Sequence, residues 1–236
     1  MQETLSSPRF DRSLIDTGML NKGLPRGVEC VLALSGLILI LPILIVAAVA
    51  MKLTSKGPAL FKQERIGFGG KGFMLFKIRT MSVASDGPLV TSAGDCRVTP
   101  VGSILRKTKI DEMPQLWNVV VGDMSFVGPR PEVPQLIDRE DPLWQRVLDM
   151  KPGVTHPITL KLRHEELLLA RVQDKATFYK EVLQPYKLNG YIRYLPNRNW
   201  KSDLGVILQT ASFVLFPKTV PVPSHEELHL AYEKAA

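Results

Sequence analysis

The strongest constraint on this chain is the run that begins at Arg26, RGVECVLALSGLILILPILIVAAVAMK, which carries no charge between Cys30 and Lys52 and is interrupted only by Ser35, Gly36 and Pro42. At about 1.5 Å of rise per residue, a helix of this length just reaches across the ~30 Å hydrocarbon core of a bilayer. It is too apolar and too long for an ordinary core helix. A polar arm precedes it and its apolar stretch is long, which argues against a secretory signal peptide. Pro42 sits near the middle, where a missing N–H and the proline ring kink a helix. Cations flank both ends, Lys22 and Arg26 before and Lys52, Lys56, Lys62 and Arg65 after, and positive charge favours the cytoplasmic side. Both flanks on one side is the pattern of a re-entrant helix hairpin, which we expect ahead of a straight span or a buried soluble helix.

The whole chain of 236 residues is long enough to bury a core as well. With 45% hydrophobic residues and a formal charge of +7, it suits a globular protein that meets something anionic: nucleic acid, a lipid surface or a phosphorylated substrate. Cys30 and Cys96 support neither a disulfide framework nor a CxxC metal site. Residues 1–25 read as a polar arm with an amphipathic entry helix around Phe10–Leu20. Next, ALFKQERIGFGGKGFMLFKIRTM alternates apolar and polar residues on either side of Gly67, Gly69, Gly70 and Gly72, which predicts a β-hairpin with a glycine turn. These glycines match neither GxGxxG nor the P-loop spacing. A loop over 82–95 leads to a short helix through Leu105, with Thr99 as cap and Pro100 at its first position. A second helix is expected from Thr108 to Val121, stopped by Gly122. GDMSFVGPRPEVP and KPGVTHP read as turn and loop, followed by a helix near Glu165–Gln184 and the apolar helix DLGVILQTASFVLF, which either joins the core or lies flat on lipid.

The chemistry concentrates in KIDEMPQLWNVVVGDMSFVGPRPE. Asp111 and Glu112 at the mouth of a helix have an ordinary explanation, because carboxylates there meet unpaired N–H groups and the positive end of the dipole. The same position also attracts phosphate, an adjacent carboxylate pair can hold a divalent cation, and a neutralised diphosphate can then be attacked by one carboxylate. Lys77, Arg79, Arg97, Arg106 and Arg130 are the candidate phosphate-binding cations. Arg130 lies between Pro129 and Pro131, which restrict the backbone that aims its forked donors. A competing motif, HEELH at 225–229, has the zinc-binding HExxH spacing, but Ser224 and Glu227 also form an ordinary capping box and only seven residues follow. His164-Glu165-Glu166 lacks the second histidine and reads as a solvated helix face.

LFKIRTM (75–81), the stretch from Thr99 to Arg106, IDEMPQLWNVVVGDMSFVGPRP (110–131) and the apolar segment closing in MKLTSKGPALFKQERIG together closely resemble the bacterial sugar transferases, the monotopic polyprenyl-phosphate phosphoglycosyl transferases. The resemblance implies an α-rich α/β monotopic membrane protein: a polar arm (1–25), a re-entrant membrane helix (26–52), a compact catalytic domain with interfacial amphipathic helices (53–217) and a tail with a short helix (218–236). It implies transfer of a phosphosugar from a nucleoside diphosphate sugar, expected to be a UDP-sugar, to undecaprenyl phosphate with Mg²⁺, at the cytoplasmic face of the bacterial inner membrane. Such a reaction starts a surface polysaccharide or other glycoconjugate. Asp111 matches the family's nucleophile, which forms a covalent phosphosugar intermediate, and Glu112 its metal-associated carboxylate. Lys77, Arg106 and Arg130 match positions used around the phosphates and nucleotide, and Pro42 matches the break in the membrane helix. The expected partners are the donor, the lipid acceptor and membrane lipids, with no nucleic acid; a homodimer is compatible with this reading. The chain departs from the family at Pro25, Arg26 and Glu29, where Lys-Arg-x-x-Asp is usual, at Leu41, and at HPITLKLRHEE (156–166). A non-catalytic membrane scaffold and a zinc metalloprotease are the rival readings.

Overall fold

The computed structural model describes residues 23–82 and 90–216. The entry helix expected near Phe10–Leu20 and the HEELH segment lie outside them. Helix α1 (Arg26–Thr54) runs without interruption, with Pro42 inside it, so no loop separates two arms and the expected hairpin is not formed as such. Pro42 offers no N–H to the turn before it, but packing on both sides of it compensates. Glu29, Ala33, Leu37, Ile40, Leu44, Ala47 and Met51 recur every three or four residues and form one inward stripe. Ala33 and Leu37 pack on Leu75, Leu116, Val119 and Met124. Leu44, Ala47 and Met51 pack on Ile78 and Leu105. Away from the stripe, Val31, Leu39, Val46 and Leu53 are 64–82% exposed.

Both ends of α1 are fastened to the same body. Arg26 donates to the carbonyls of Val119 and, at 2.9 Å, Val120, while the buried carboxylate of Glu29 accepts from the Ser125 hydroxyl and, at 3.1 Å, the Phe126 N–H. The Pro-Arg-x-x-Glu departure therefore still anchors the helix start. At the other end, Arg79 donates to the carbonyls of Ser55 and Lys56, the residues that follow the last turn.

The hairpin is as expected: β1 (Leu60–Ile66) pairs antiparallel with β2 (Gly72–Ile78), from Leu60↔Ile78 to Ile66↔Gly72. Gly69 and Gly70 make the turn with φ of 66° and 73°, where a Cβ would be strained. Helix α2 (Pro100–Thr108) begins as read, with the Thr99 hydroxyl accepting from the Gly102 N–H at 2.9 Å, and runs one turn further than expected. The single helix predicted from Thr108 to Val121 is corrected. Lys109 adopts a left-handed conformation (φ 58°), Ile110–Glu112 forms a 3-10 turn, and α3 occupies only Gln115–Val121 before Gly122 ends it. The cause is Pro114, which has no N–H for the Ile110 carbonyl; that carbonyl takes the Met113 N–H at 3.2 Å instead.

A second correction concerns the two glycine-proline motifs read as turns. β3 (Ser125–Val127) and β4 (Gly153–Thr155) form a parallel pair. Their backbones approach so closely that a Cβ on Gly153 would lie 2.1 Å from the Gly128 nitrogen. Strands of three residues show no alternation to read. The helix expected near Glu165–Gln184 is also divided. α4 (Pro142–Leu148) and α5 (Pro157–Lys161) precede α6 (Glu165–Leu169), and Asp174 then caps α7 (Lys175–Phe178), which passes through a π-helical turn, Tyr179–Leu183, into α8 (Gln184–Tyr194). Finally α9 (Trp200–Leu215) docks on the parallel pair, through Arg198, which bonds Asp203 and the Val127 carbonyl, and through a 2.7 Å contact between Thr155 and Thr210. Among the described residues the result is helix-rich with two small sheets, consistent with the expected α/β class.

Candidate active site

The site forms where β2, the 3-10 turn and the loop after β3 converge. Asn118 sets the first of these: its side chain accepts from the Phe76 N–H at 3.2 Å and donates to the Met74 carbonyl at 2.7 Å, clamping the edge of β2 to α3. Lys77 then emerges on the cleft side, its ammonium 5.1 Å from the centre of the Phe61 ring. Burial, with Arg65 and Arg130 nearby, brings Lys77 down to about 8.

Asp111 is 5% exposed, and its Oδ1 is buried without a hydrogen-bond partner. Burial and the adjacent Glu112 push its carboxyl up to about 6, against the opposing pull of Lys109, Lys77 and Arg106. Glu112 behaves oppositely. Burial alone would raise it, but Arg130, Lys109 and Lys77 outweigh burial and hold the carboxyl well below the usual range. Its partner is the Arg130 guanidinium, which donates to both oxygens, at 2.6 and 3.2 Å. The two adjacent carboxylates thus differ: one is paired, the other poised near neutrality in a cationic surround.

Of the candidates from sequence, Lys77, Arg106, Asp111, Glu112 and Arg130 share this neighbourhood. Arg79 does not turn its guanidinium to the carboxylate pair; it holds the end of α1. Arg97 is engaged by Asp95, at 2.7 Å. The helix-N-terminus argument also falls, because α3 is only seven residues long and starts after the carboxylates; the cations supply the attraction instead. Lys109 and Arg65 were missed by the sequence reading, although both act electrostatically on this cluster. Lys109 stands two residues from Asp111 and was a visible signal. His156, in the departing HPITLKLRHEE stretch, is structural: 2% exposed, edge-on to Tyr191 and Tyr194, it caps α5 through the Ile158 N–H and burial lowers it to about 3. Glu165, by contrast, meets Lys187 at 2.8 Å and acts on Arg130, so it is not the solvated helix face that was expected.

Comparison with known proteins decides the family: the model of the bacterial sugar transferases matches residues 20–217. The chain belongs to the bacterial sugar transferase family. It is similar to a UDP-glucose:undecaprenyl-phosphate glucose-1-phosphate transferase of Escherichia coli, 42% identical over 183 residues, 74% of this chain and 39% of that protein. A protein of the same description from Caulobacter vibrioides is 60% identical over 92 residues, 38% of this chain and 34% of that one. A UDP-N-acetylgalactosamine-undecaprenyl-phosphate N-acetylgalactosaminephosphotransferase of Aeromonas hydrophila is 40% identical over 135 residues, 55% of this chain and 32% of that one. The chain therefore spans about a third of the length of these relatives. In this bacterial sugar transferase, the matched region contains every residue of the cluster just described.

Proposed function

We propose that this chain transfers a sugar 1-phosphate from a UDP-sugar to undecaprenyl phosphate, in two displacements at phosphorus. An oxygen of Asp111 attacks the phosphorus that bears the sugar, forming an acyl phosphate and expelling UMP; a phosphate oxygen of the lipid acceptor then displaces Asp111 and takes the phosphosugar. The observation that carries this reading is the Asp111 oxygen, buried and unpartnered among Lys77, Arg106 and Lys109. A carboxylate kept without a hydrogen bond is a better nucleophile than a paired one. Lys77 and Arg130 would carry the diphosphate charge, and Glu112 keeps the Arg130 fork in place until substrate competes for it.

Magnesium fits the donor set. Among the described residues no cluster of three or more His, Cys, Asp or Glu exists, and Mg²⁺ is typically held by one or two carboxylates with substrate phosphates supplying other ligands. Asp111 and Glu112 would hold it, and when bound it supplies neutralisation of the diphosphate. The α1 stripe supports a monotopic placement at the membrane. Contacts at Glu29 and at Met51 tie both ends of the helix to the same body, leaving its opposite apolar face for lipid on one side of the bilayer. The test is UMP release from UDP-glucose, UDP-N-acetylgalactosamine and UDP-N-acetylglucosamine, with undecaprenyl phosphate and Mg²⁺ in detergent. Wild type should release UMP from one donor, and Asp111→Asn should lose at least about a thousandfold. With labelled donor and no acceptor, label should stay on the wild-type protein. Retained transfer by Asp111→Asn would sink the assignment.

A further inference from the structure

Behind Arg130 lies a second charged cluster that the two displacements do not use. Glu132, 9% exposed, accepts from the Tyr179 hydroxyl at 2.5 Å. Its carboxylate also lies 3.8 Å from the Lys187 ammonium and 3.6 Å from the Arg65 guanidinium. Lys187 closes the set, donating to the Tyr179 oxygen at 3.2 Å and pairing with Glu165 at 2.8 Å. These groups come from β1, the loop after β3, α6 and the α7–α8 stretch. The π-helical turn at Tyr179–Leu183 is what lets Tyr179 and Lys187 meet one carboxylate. In an unbroken α-helix two residues eight apart differ by about 80° around the axis, whereas the extra residue of a π turn brings them within about 20°.

Buried ion clusters gain little stability over apolar packing of the same shape, so stability alone is a poor account of this one. Its geometry suggests what it holds. Each residue from Arg130 to Glu132 has a tether: Tyr191 is hydrogen-bonded to the Arg130 backbone, Arg65 donates to the Pro131 carbonyl at 3.0 Å, and the Ile66 N–H donates to the Glu132 carbonyl at 3.0 Å. Two residues from Glu132, the Arg130 fork meets Glu112, the neighbour of the proposed nucleophile Asp111. We propose that Glu132 is a positioning residue for phosphosugar transfer: its carboxylate, gripped by Tyr179, Lys187 and Arg65, fixes the loop that aims Arg130 at the donor diphosphate. This rests on the function proposed above. Fixing the loop in advance lowers the ordering cost of binding the diphosphate.

The experiment is a double-mutant cycle in full-length protein, read as UMP release from whichever of the three UDP-sugars turns over fastest, with thermal unfolding in detergent as the folding control. Glu132→Gln keeps an acceptor oxygen for Tyr179 but removes the charge, and Tyr179→Phe removes the hydroxyl with little change of shape. Each should raise the donor KM about tenfold while kcat changes less than about threefold. In an Arg130→Ala background, Glu132→Gln should cost less than about twofold in kcat/KM, because the residue it positions is gone. Equal fold-losses in both backgrounds would overturn the inference and leave the transferase reading intact. Wild-type protein silent on all three donors would overturn the transferase reading, and this inference with it. If Glu132→Gln does not fold, the same cycle run with Tyr179→Phe decides by the same criterion.

Discussion

Helix α1 and the stretch α7–α8 invert the usual relation of polarity to burial in opposite senses. In α1, Leu39 and Val46 are 79% and 68% exposed, whereas α8 buries Gln184 and Lys187, and the preceding π turn buries the hydroxyl-bearing Tyr179. Water would penalise the first arrangement and an apolar interior the second. The proposed function supplies a partner for each: lipid for the outward face of α1, and a rigid, cation-bearing phosphate site for the charges gathered behind Arg130. The proposed transfer from a charged nucleotide sugar to a lipid phosphate would need both surfaces close together, and α1 supplies that closeness by packing directly on β2 and α3.

The largest effect should come from making the exposed face of α1 polar. Leu39→Lys combined with Val46→Lys places two charges in the hydrocarbon layer at about 3 kcal/mol each, so the protein should move from the membrane pellet to the soluble fraction. An unchanged pellet would break the lipid half of the comparison. Its other half is probed by Lys187→Met, which leaves Glu165 and Glu132 without their shared buried cation. Removing one partner of a buried ion pair costs about 3 kcal/mol or more, measurable as a lower unfolding midpoint in detergent; an unchanged midpoint would mean that the cluster is not held by charge.

Asp111 sharpens the comparison, because it is a polar group buried at a cost to stability. Its folded value, about 6, lies above its ordinary 3.8. The folded state therefore favours the protonated form, and stability falls as pH rises through that interval. Without Mg²⁺ or donor, Asp111→Asn should be more stable than wild type by about 3 kcal/mol at pH 7.5, with the gain gone below about pH 3, where both states are protonated. Transfer by wild type should decline at acid pH as the proposed nucleophile is neutralised, with a midpoint that lies below about 6 when Mg²⁺ is bound, because the dication favours the ionised carboxylate. Unfolding midpoints for the two proteins across pH test the first statement, and UMP release tests the second. The smallest effect is expected at Arg97, whose guanidinium pairs locally with Asp95. Arg97→Ala should alter donor KM less than about twofold and stability by less than about 1 kcal/mol; a tenfold loss in kcat/KM would return Arg97 to the phosphate site.

Much of the site was legible because its chemistry is local in sequence. Asp111, Glu112 and Arg130 stand in one motif, and Lys77 and Arg106 follow from the charge that such a motif requires. Arg79 and Arg97 had the same residue type and the same block of sequence, yet one binds carbonyls at the end of α1 and the other a neighbouring carboxylate. A guanidinium has no sequence signature for what it will face. The errors of fold were of a similar kind: Lys109 and Pro114 break a stretch whose apolar period looks continuous, and the β3–β4 pair joins residues nearly thirty positions apart through strands too short to show alternation.

By itself, then, the sequence determined what depends on neighbours along the chain: the long apolar helix, the glycine-turned hairpin, the Thr99 cap, the Gly122 stop and the carboxylate pair in its motif. Tertiary structure alone decided which face of α1 is left open, which carboxylate is paired, and that Tyr179, Lys187 and Arg65 meet at Glu132. Those outcomes depend on distance through space, where burial and a facing charge set the energy of each group, and no spacing along the chain encodes them.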